Sequence, residues 1–154
     1  MKTEVVNIEF IKAMEKFKFE KLLVWQKAMD LGEDMNQLTS SFPKKEVYNL
    51  SSQLMRAIDS VVLNISEGAI GQTNPEQNRF IGYAIRSLAE TVTCLHKAKR
   101  RDYLNLEDFQ RHYDNSFHLM NMYHTNIRLL QLDLLLVVAT QQLLLLRVRH
   151  HHHH

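Results

Sequence analysis

The sequence predicts an all-α fold, an antiparallel up-down-up-down four-helix bundle with a long fourth helix. Its 154 residues include only four glycines and two prolines, too few for the many turns of a β-rich chain. Apolar residues recur at three- and four-residue spacing over four long segments. The breaks between these segments are short, and short connections make successive helices antiparallel. A chain of this length suits one domain with a single apolar core.

The first helix is expected from about Phe19 to Leu38, with Leu22, Trp25, Met29 and Met35 near one face. Ser40, Ser41 and Pro43 interrupt it. Pro43 followed by Glu46 has the character of a helix start. The second helix then runs to about Glu67, with Val47, Leu50, Leu54, Ile58, Val61 and Ile65 as its seam. Gly68 is expected to close it as a C-terminal cap.

A loop from Gly68 to Asn74 leads into the third helix, capped by Thr73 or Asn74 with Pro75 and Glu76 in its first turn. Ile81, Ala84, Leu88, Leu95 and Ala98 form its seam, flanked by Ile85 and Val92. The basic run from Lys97 to Arg101 closes it, where cations suit the negative end of the helix dipole. Asn105 caps the fourth helix, with Glu107 and Asp108 in its first turn. Its seam is Leu106, Phe109, Tyr113, Met120, Tyr123, Ile127, Leu130, Leu134 and Val137, at the spacing of bundles and coiled coils. Thr3 to Phe17 carries the pattern of an additional short helix.

The chain divides into an N-terminal extension (1–18), the bundle domain (19–130), a leucine-rich C-terminal extension (131–149) and a purification tag (150–154). The extension is apolar on nearly every side. Gln131, Asp133 and Thr140-Gln141-Gln142 interrupt it, so it is expected to lengthen the fourth helix into a subunit interface rather than to span a membrane, the alternative being an artificial sequence that leads into the tag.

The formal net charge is only +2, so the chain as a whole does not coat nucleic acid by charge. Its cations are clustered, at Lys2, Lys12, Lys16, Lys18 and Lys21 and again at Lys97, Lys99, Arg100 and Arg101. The lone Cys94 fits a reducing compartment, and Met1-Lys2-Thr3-Glu4 does not open a signal peptide, so a cytoplasmic location is expected.

A second, polar pattern runs beside the apolar seam of the second helix: Gln53, Arg56, Ser60, Asn64 and Glu67. The third helix offers Arg79, Tyr83, Ser87 and Glu90. Such a set makes a buried or half-buried network that fixes helix register and the geometry of an oligomer.

These residues also carry a family resemblance. Leu23-Val24-Trp25-Gln26-Lys27-Ala28, Phe42-Pro43 with Glu46, Tyr48 and Leu50, and then Gln53, Arg56-Ala57, Ser60-Val61 and Asn64-Ile65-Ser66-Glu67-Gly68 follow one another in order. Phe80, Ala84, Ser87-Leu88, Glu90 and Tyr103-Leu104 continue the series. Over residues 19–130 the chain resembles the bacterial four-helix-bundle family encoded in intervening sequences of 23S ribosomal RNA genes, often labelled S23 ribosomal protein. That family is similar to the accessory variability determinant of diversity-generating retroelements, a pentameric bundle that binds nucleic acid and reverse transcriptase. The resemblance implies a ring-like homopentamer, and it does not extend to the leucine-rich tail.

Three functions follow as expectations. The first is a non-enzymatic homo-oligomeric adaptor or scaffold that binds RNA or DNA through Lys97, Lys99, Arg100 and Arg101, with Tyr103 stacking on a base. The second is a structural assembly with a protein partner, locked by Gln53, Arg56, Ser60, Asn64, Glu67, Ser87 and Glu90. The third is a ribonuclease resembling the HEPN enzymes, with His118 as acid–base group and Arg111 holding phosphate. No cofactor, metal, membrane or small-molecule substrate is expected. His96, His112, His118 and His124 lack the spacing that pairs ligands on one helical face and are read as solvated or hydrogen-bonded. Cys94 reads as packing.

Overall fold

The computed structural model describes residues 17–71 and 73–151, with the backbone alone for residues 126, 127, 129–131, 133, 134 and 148–151. Among the described residues the regular structure is entirely helical: α1 (Leu23–Ser40), α2 (Leu50–Ile70), α3 (Asn74–Arg100) and α4 (Leu106–His151). Short 3-10 turns at Lys18–Lys21 and Lys44–Glu46 precede α1 and α2. The helix expected over Thr3 to Phe17 lies outside the described residues apart from Phe17 itself, as do Lys2, Lys12 and Lys16.

The local signals explain most of the boundaries. Thr73 caps α3 by accepting the Glu76 N–H, with Pro75 in the first turn. Asn105 caps α4 by accepting the Asp108 N–H at 2.7 Å. At the end of α3 the Tyr103 N–H reaches the Ala98 carbonyl and the Asp102 N–H that of Lys99, closing a Schellman turn. The left-handed residue of that turn is Asp102, with φ of 59°, where glycine is the commoner choice.

The start of α2 is displaced from its expected place. Pro43 opens a 3-10 turn, and the α-helix begins at Leu50. Its N-cap, Asn49, makes no side-chain cap bond. The carboxylate of Glu46 accepts the Leu50 N–H instead, so it caps a helix that begins four residues beyond it. The end of α2 is displaced as well. Gly68 is buried within the helix and Gly71 follows it as the cap.

Gly68 serves close approach. A Cβ there would lie 3.2 Å from Phe80 Cβ and 3.4 Å from Tyr123 Oη. α2, α3 and α4 therefore meet at that corner.

One core joins the helices. α1 packs on α2 and α4, and α3 on α2 and α4, with α2–α3 the most extensive contact. The α2 seam is buried from Leu50 through Leu54, Ile58 and Val61 to Ile65. From α3 come Ala84, Leu88, Leu95 and Ala98, joined by Cys94 and Thr91. The buried face of α1 is Val24, Ala28, Leu31 and Met35, rotated from the expected one, with Trp25 half-buried and Met29 exposed. Val47, Leu106 and Val137, expected in seams, are exposed. The seam of α4 instead runs through Phe109, His112, Ser116, Leu119 and Tyr123. Side chains of Ile127, Leu130 and Leu134 lie outside the described set.

At 1.5 Å per residue, the 46 residues of α4 extend about 69 Å, against about 40 Å for the 27 of α3. Much of α4 therefore runs beyond the packed body.

Candidate functional site

Two cross-helix bonds orient the polar stripe. Ser87 donates to Ser60 at 2.8 Å, and Lys97 Nζ donates to Gln53 Oε1 at 3.4 Å. Because Ser60 follows Gln53 while Ser87 precedes Lys97, α2 and α3 run antiparallel. Asn64 adds bonds to the Ser60 hydroxyl and carbonyl. Ser60, Asn64 and Ser87 thus form a connected, half-buried centre between the two helices.

The charged members of the stripe lie outside that centre. Arg56, Glu67 and Glu90 are exposed. Arg56 donates to the Ser52 carbonyl of its own helix. Arg56 and Glu90 line one open groove of about 650 Å³ with Tyr48, Asn49, Gln53, Ala57 and Lys97. Tyr48, at its rim, is 97% exposed. Further along α3, Arg79 sits over the Phe80 ring at 5.1 Å, and Tyr83 packs edge-on against the same ring.

The basic run at the end of α3 is mostly engaged with neighbouring side chains, although Lys97, Arg100 and Arg101 remain exposed. Arg101 pairs with Glu46 at 3.1 Å. The Tyr103 hydroxyl donates to Glu46 at 3.0 Å, and its ring packs on Phe42. Lys99 sits over the Phe109 ring at 4.5 Å. Lys97 reaches Gln53, and Arg100 is exposed. Two of the five candidate nucleic-acid contacts, Arg101 and Tyr103, are therefore held by one carboxylate.

Glu46 is the hub of these contacts, a role that sequence reasoning did not assign to it. It is 4% exposed. Burial pulls its pKa upward. The Leu50 N–H, the Tyr103 hydroxyl and the charges of Arg101 and Lys45 outweigh burial, so the carboxyl titrates below its ordinary 4.5. Burial and the same carboxylate raise the Tyr103 phenol. Glu46 thereby ties the α1–α2 connection to the α3–α4 connection and caps α2 from its side chain. Its partners lie 55 and 57 residues away, a separation with no local pattern to reveal it. The acidic residue after Pro43 was the available signal.

Histidine chemistry is also relocated. His112, expected to be solvated or hydrogen-bonded, is buried, and its Nδ1 has no hydrogen-bond partner. Burial, aided by Arg111 and opposed by Asp34 and Asp108, lowers its pKa and keeps the ring neutral. His96 packs edge-on against Phe109 at 4.8 Å. Arg111 pairs with Asp108 at 3.4 Å, and it shares an open depression on α4 with His118 and Gln110. Burial raises the pKa of Cys94, which suits a packed thiol.

Among the described residues, no group of three or more His, Cys, Asp or Glu is placed to hold a metal ion. Among them too, no helix is long and apolar enough to cross a membrane.

Comparison with known proteins agrees with this architecture. The sequence pattern of the family described as 23S rRNA-intervening sequence protein matches residues 20–125. No curated protein sequence matches the chain. Among solved structures, a protein with unknown function from the S23 ribosomal protein family of Bacteroides thetaiotaomicron matches with a TM-score of 0.62 at 19% identity. The match covers 69% of this chain and 96% of that one, and at this identity it concerns the fold alone.

Proposed function

The chain belongs to the 23S rRNA-intervening sequence protein family, and from that premise we propose that it is a non-enzymatic, homo-oligomeric scaffold. The repeating unit is an up-down-up-down four-helix bundle, and its copies meet along the α2–α3 groove, five to a ring as the family resemblance implies. The observation that carries this reading is Tyr48, 97% exposed beside a groove holding Arg56, Glu90 and Lys97. Exposed aromatics flanked by charge are the usual anchors of protein interfaces, where the ring is buried and the charges select the partner. The Ser60–Asn64–Ser87 centre keeps the two walls of the groove in fixed register.

Tyr48→Ala and Arg56→Ala test this reading. Each is expected to lower the subunit count in sedimentation equilibrium while leaving the melting temperature of the isolated body within a few degrees. Unchanged mass in both variants contradicts it.

A second reading, nucleic-acid binding, is favoured by one feature. The Glu46–Arg101 pair draws together two basic segments, so Lys44 and Lys45 share one end of the body with Lys97, Lys99 and Arg100. Repeated by symmetry, that end would attract phosphate with little sequence preference and strong dependence on salt. Retention of ribosomal RNA fragments that falls steeply with salt, and is lost on changing Lys97, Lys99 and Arg100 to glutamate, supports it. Equal retention by that variant contradicts it.

A further inference from the structure

The family match ends at residue 125, and a dense run of exposed apolar residues begins at Leu132. Leu132, residues 135–138 and residues 143–146 are all large, apolar and exposed. Leu135, Leu136, Val137 and Val138 are 54%, 65%, 55% and 48% exposed. Successive residues project about 100° apart on a helix of 3.6 residues per turn, so these four place apolar surface on every side. A helix apolar all round is buried in a larger core or in a membrane.

The polar residues of the segment decide between the two. Thr140, Gln141 and Gln142 cross its middle and are exposed. The Thr140 hydroxyl is satisfied by the Leu136 carbonyl at 2.7 Å. No such bond within the helix serves the two glutamine amides among the described residues, and lipid would leave them unpaired. Against copies of the same segment in parallel, Gln142 flanks the contact beside the polar Thr140 and Arg147 of the next helix, and Gln141 stays in water. An antiparallel pairing centred on Ala139 would set Gln142 against Leu136 instead. Leu132, Leu136, Ala139, Leu143 and Leu146 follow one another at spacings of four, three, four and three, the pattern of a coiled-coil seam.

Size points the same way. The nine exposed side chains present on the order of 1,000 Å² per copy, comparable with the roughly 800 Å² per partner of a standard stable interface. A single neighbour covers one stripe of about 100° and leaves the remaining sides wet.

We infer that residues 132–146 of α4 form a parallel stalk with the same segment of other copies, more than two helices to each stalk. The stalk stands clear of the α2–α3 groove and does not depend on it.

The test uses the full chain. Leu146→Cys is expected to give disulfide-linked dimers on mild oxidation, since like seam positions adjoin in a parallel stalk. Leu136→Glu with Leu143→Glu is then placed in a Tyr48→Ala, Arg56→Ala background. The background protein should retain more than two copies in sedimentation equilibrium, and adding the two glutamates should give monomers with an unchanged thermal transition of the body. A background protein that is already monomeric, a mass indifferent to the glutamates, or absent cross-linking each overturns the stalk. Flotation of the unsubstituted chain with phosphatidylcholine vesicles, abolished by the two glutamates, would assign the segment to lipid and likewise overturn it. Loss of copies from the groove variants alone bears on the groove, so the two interfaces fail separately.

Discussion

Leucines of the packed body and leucines of the distal half of α4 are chemically identical and placed oppositely. Leu54 and Leu95 are fully buried, whereas Leu143 is 67% exposed and Leu136 65%. The difference lies in the neighbours. Each seam of the body faces other seams, and its polar exceptions mostly find partners: Glu46 takes Arg101, Tyr103 and the Leu50 N–H, and Ser60 takes Ser87. Every described side chain of the distal half of α4, at 132 and 135–147, is exposed. Apolar content alone therefore does not define a core; a covered stripe does, and an uncovered one marks where another molecule belongs.

The sharpest way to break this contrast is to truncate one side chain in each region. Ile58→Ala, at a fully buried position, is expected to cost roughly 2–5 kcal/mol in denaturant unfolding. Leu143→Ala should move the unfolding of the body by no more than about 0.5 kcal/mol. Equal losses would mean that the distal helix is part of the body's cooperative unit.

Gly68→Ala probes the tightest corner. Alanine is the better helix former by about 0.5–1 kcal/mol, but the added methyl would crowd Phe80 Cβ at 3.2 Å. Overpacking of this kind costs about 1–3 kcal/mol, so net destabilisation is expected. Gly82→Ala is the control. A Cβ there meets nothing within 4 Å, and the substitution should stabilise by about 0.5–1 kcal/mol. The two glycines lie on adjacent helices and should move stability in opposite directions.

Glu46 sharpens the contrast through pH. Its pKa in the folded chain lies below the ordinary 4.5. Its contribution to stability is therefore complete above that value and is lost as pH falls through the folded value. Glu46→Gln should lower the melting temperature near neutrality and flatten its decline below about pH 4.5. Parallel acid limbs in the two proteins would show that the carboxylate does not hold the two connections together.

The seams of α2 and α3 were legible because their residues are apolar and regularly spaced, and the caps of α3 and α4 because Thr73 and Asn105 act within three residues. The α4 seam was legible only in part. His112 and Ser116 occupy core positions there and carry no hydrophobic signal, although Ser116 satisfies itself on the His112 carbonyl at 2.8 Å. Gly68 misled because a glycine near a helix end serves either a cap or a close contact, and only the position of Phe80 decides. Asp102 concealed the Schellman turn by standing where glycine usually signals it. The buried carboxylate was illegible because its partners are distant in sequence. Of the stripe, Ser60, Asn64 and Ser87 meet as a set, while Arg56 and Glu90 face an open groove.

The most direct test of the central claim, that other copies of this chain cover its uncovered surfaces, is the native mass of the unsubstituted chain across a dilution series. An assembly of more than two copies that persists to micromolar concentration is the expected result. A single-chain mass of 18.2 kDa at every concentration would contradict both the groove and the stalk.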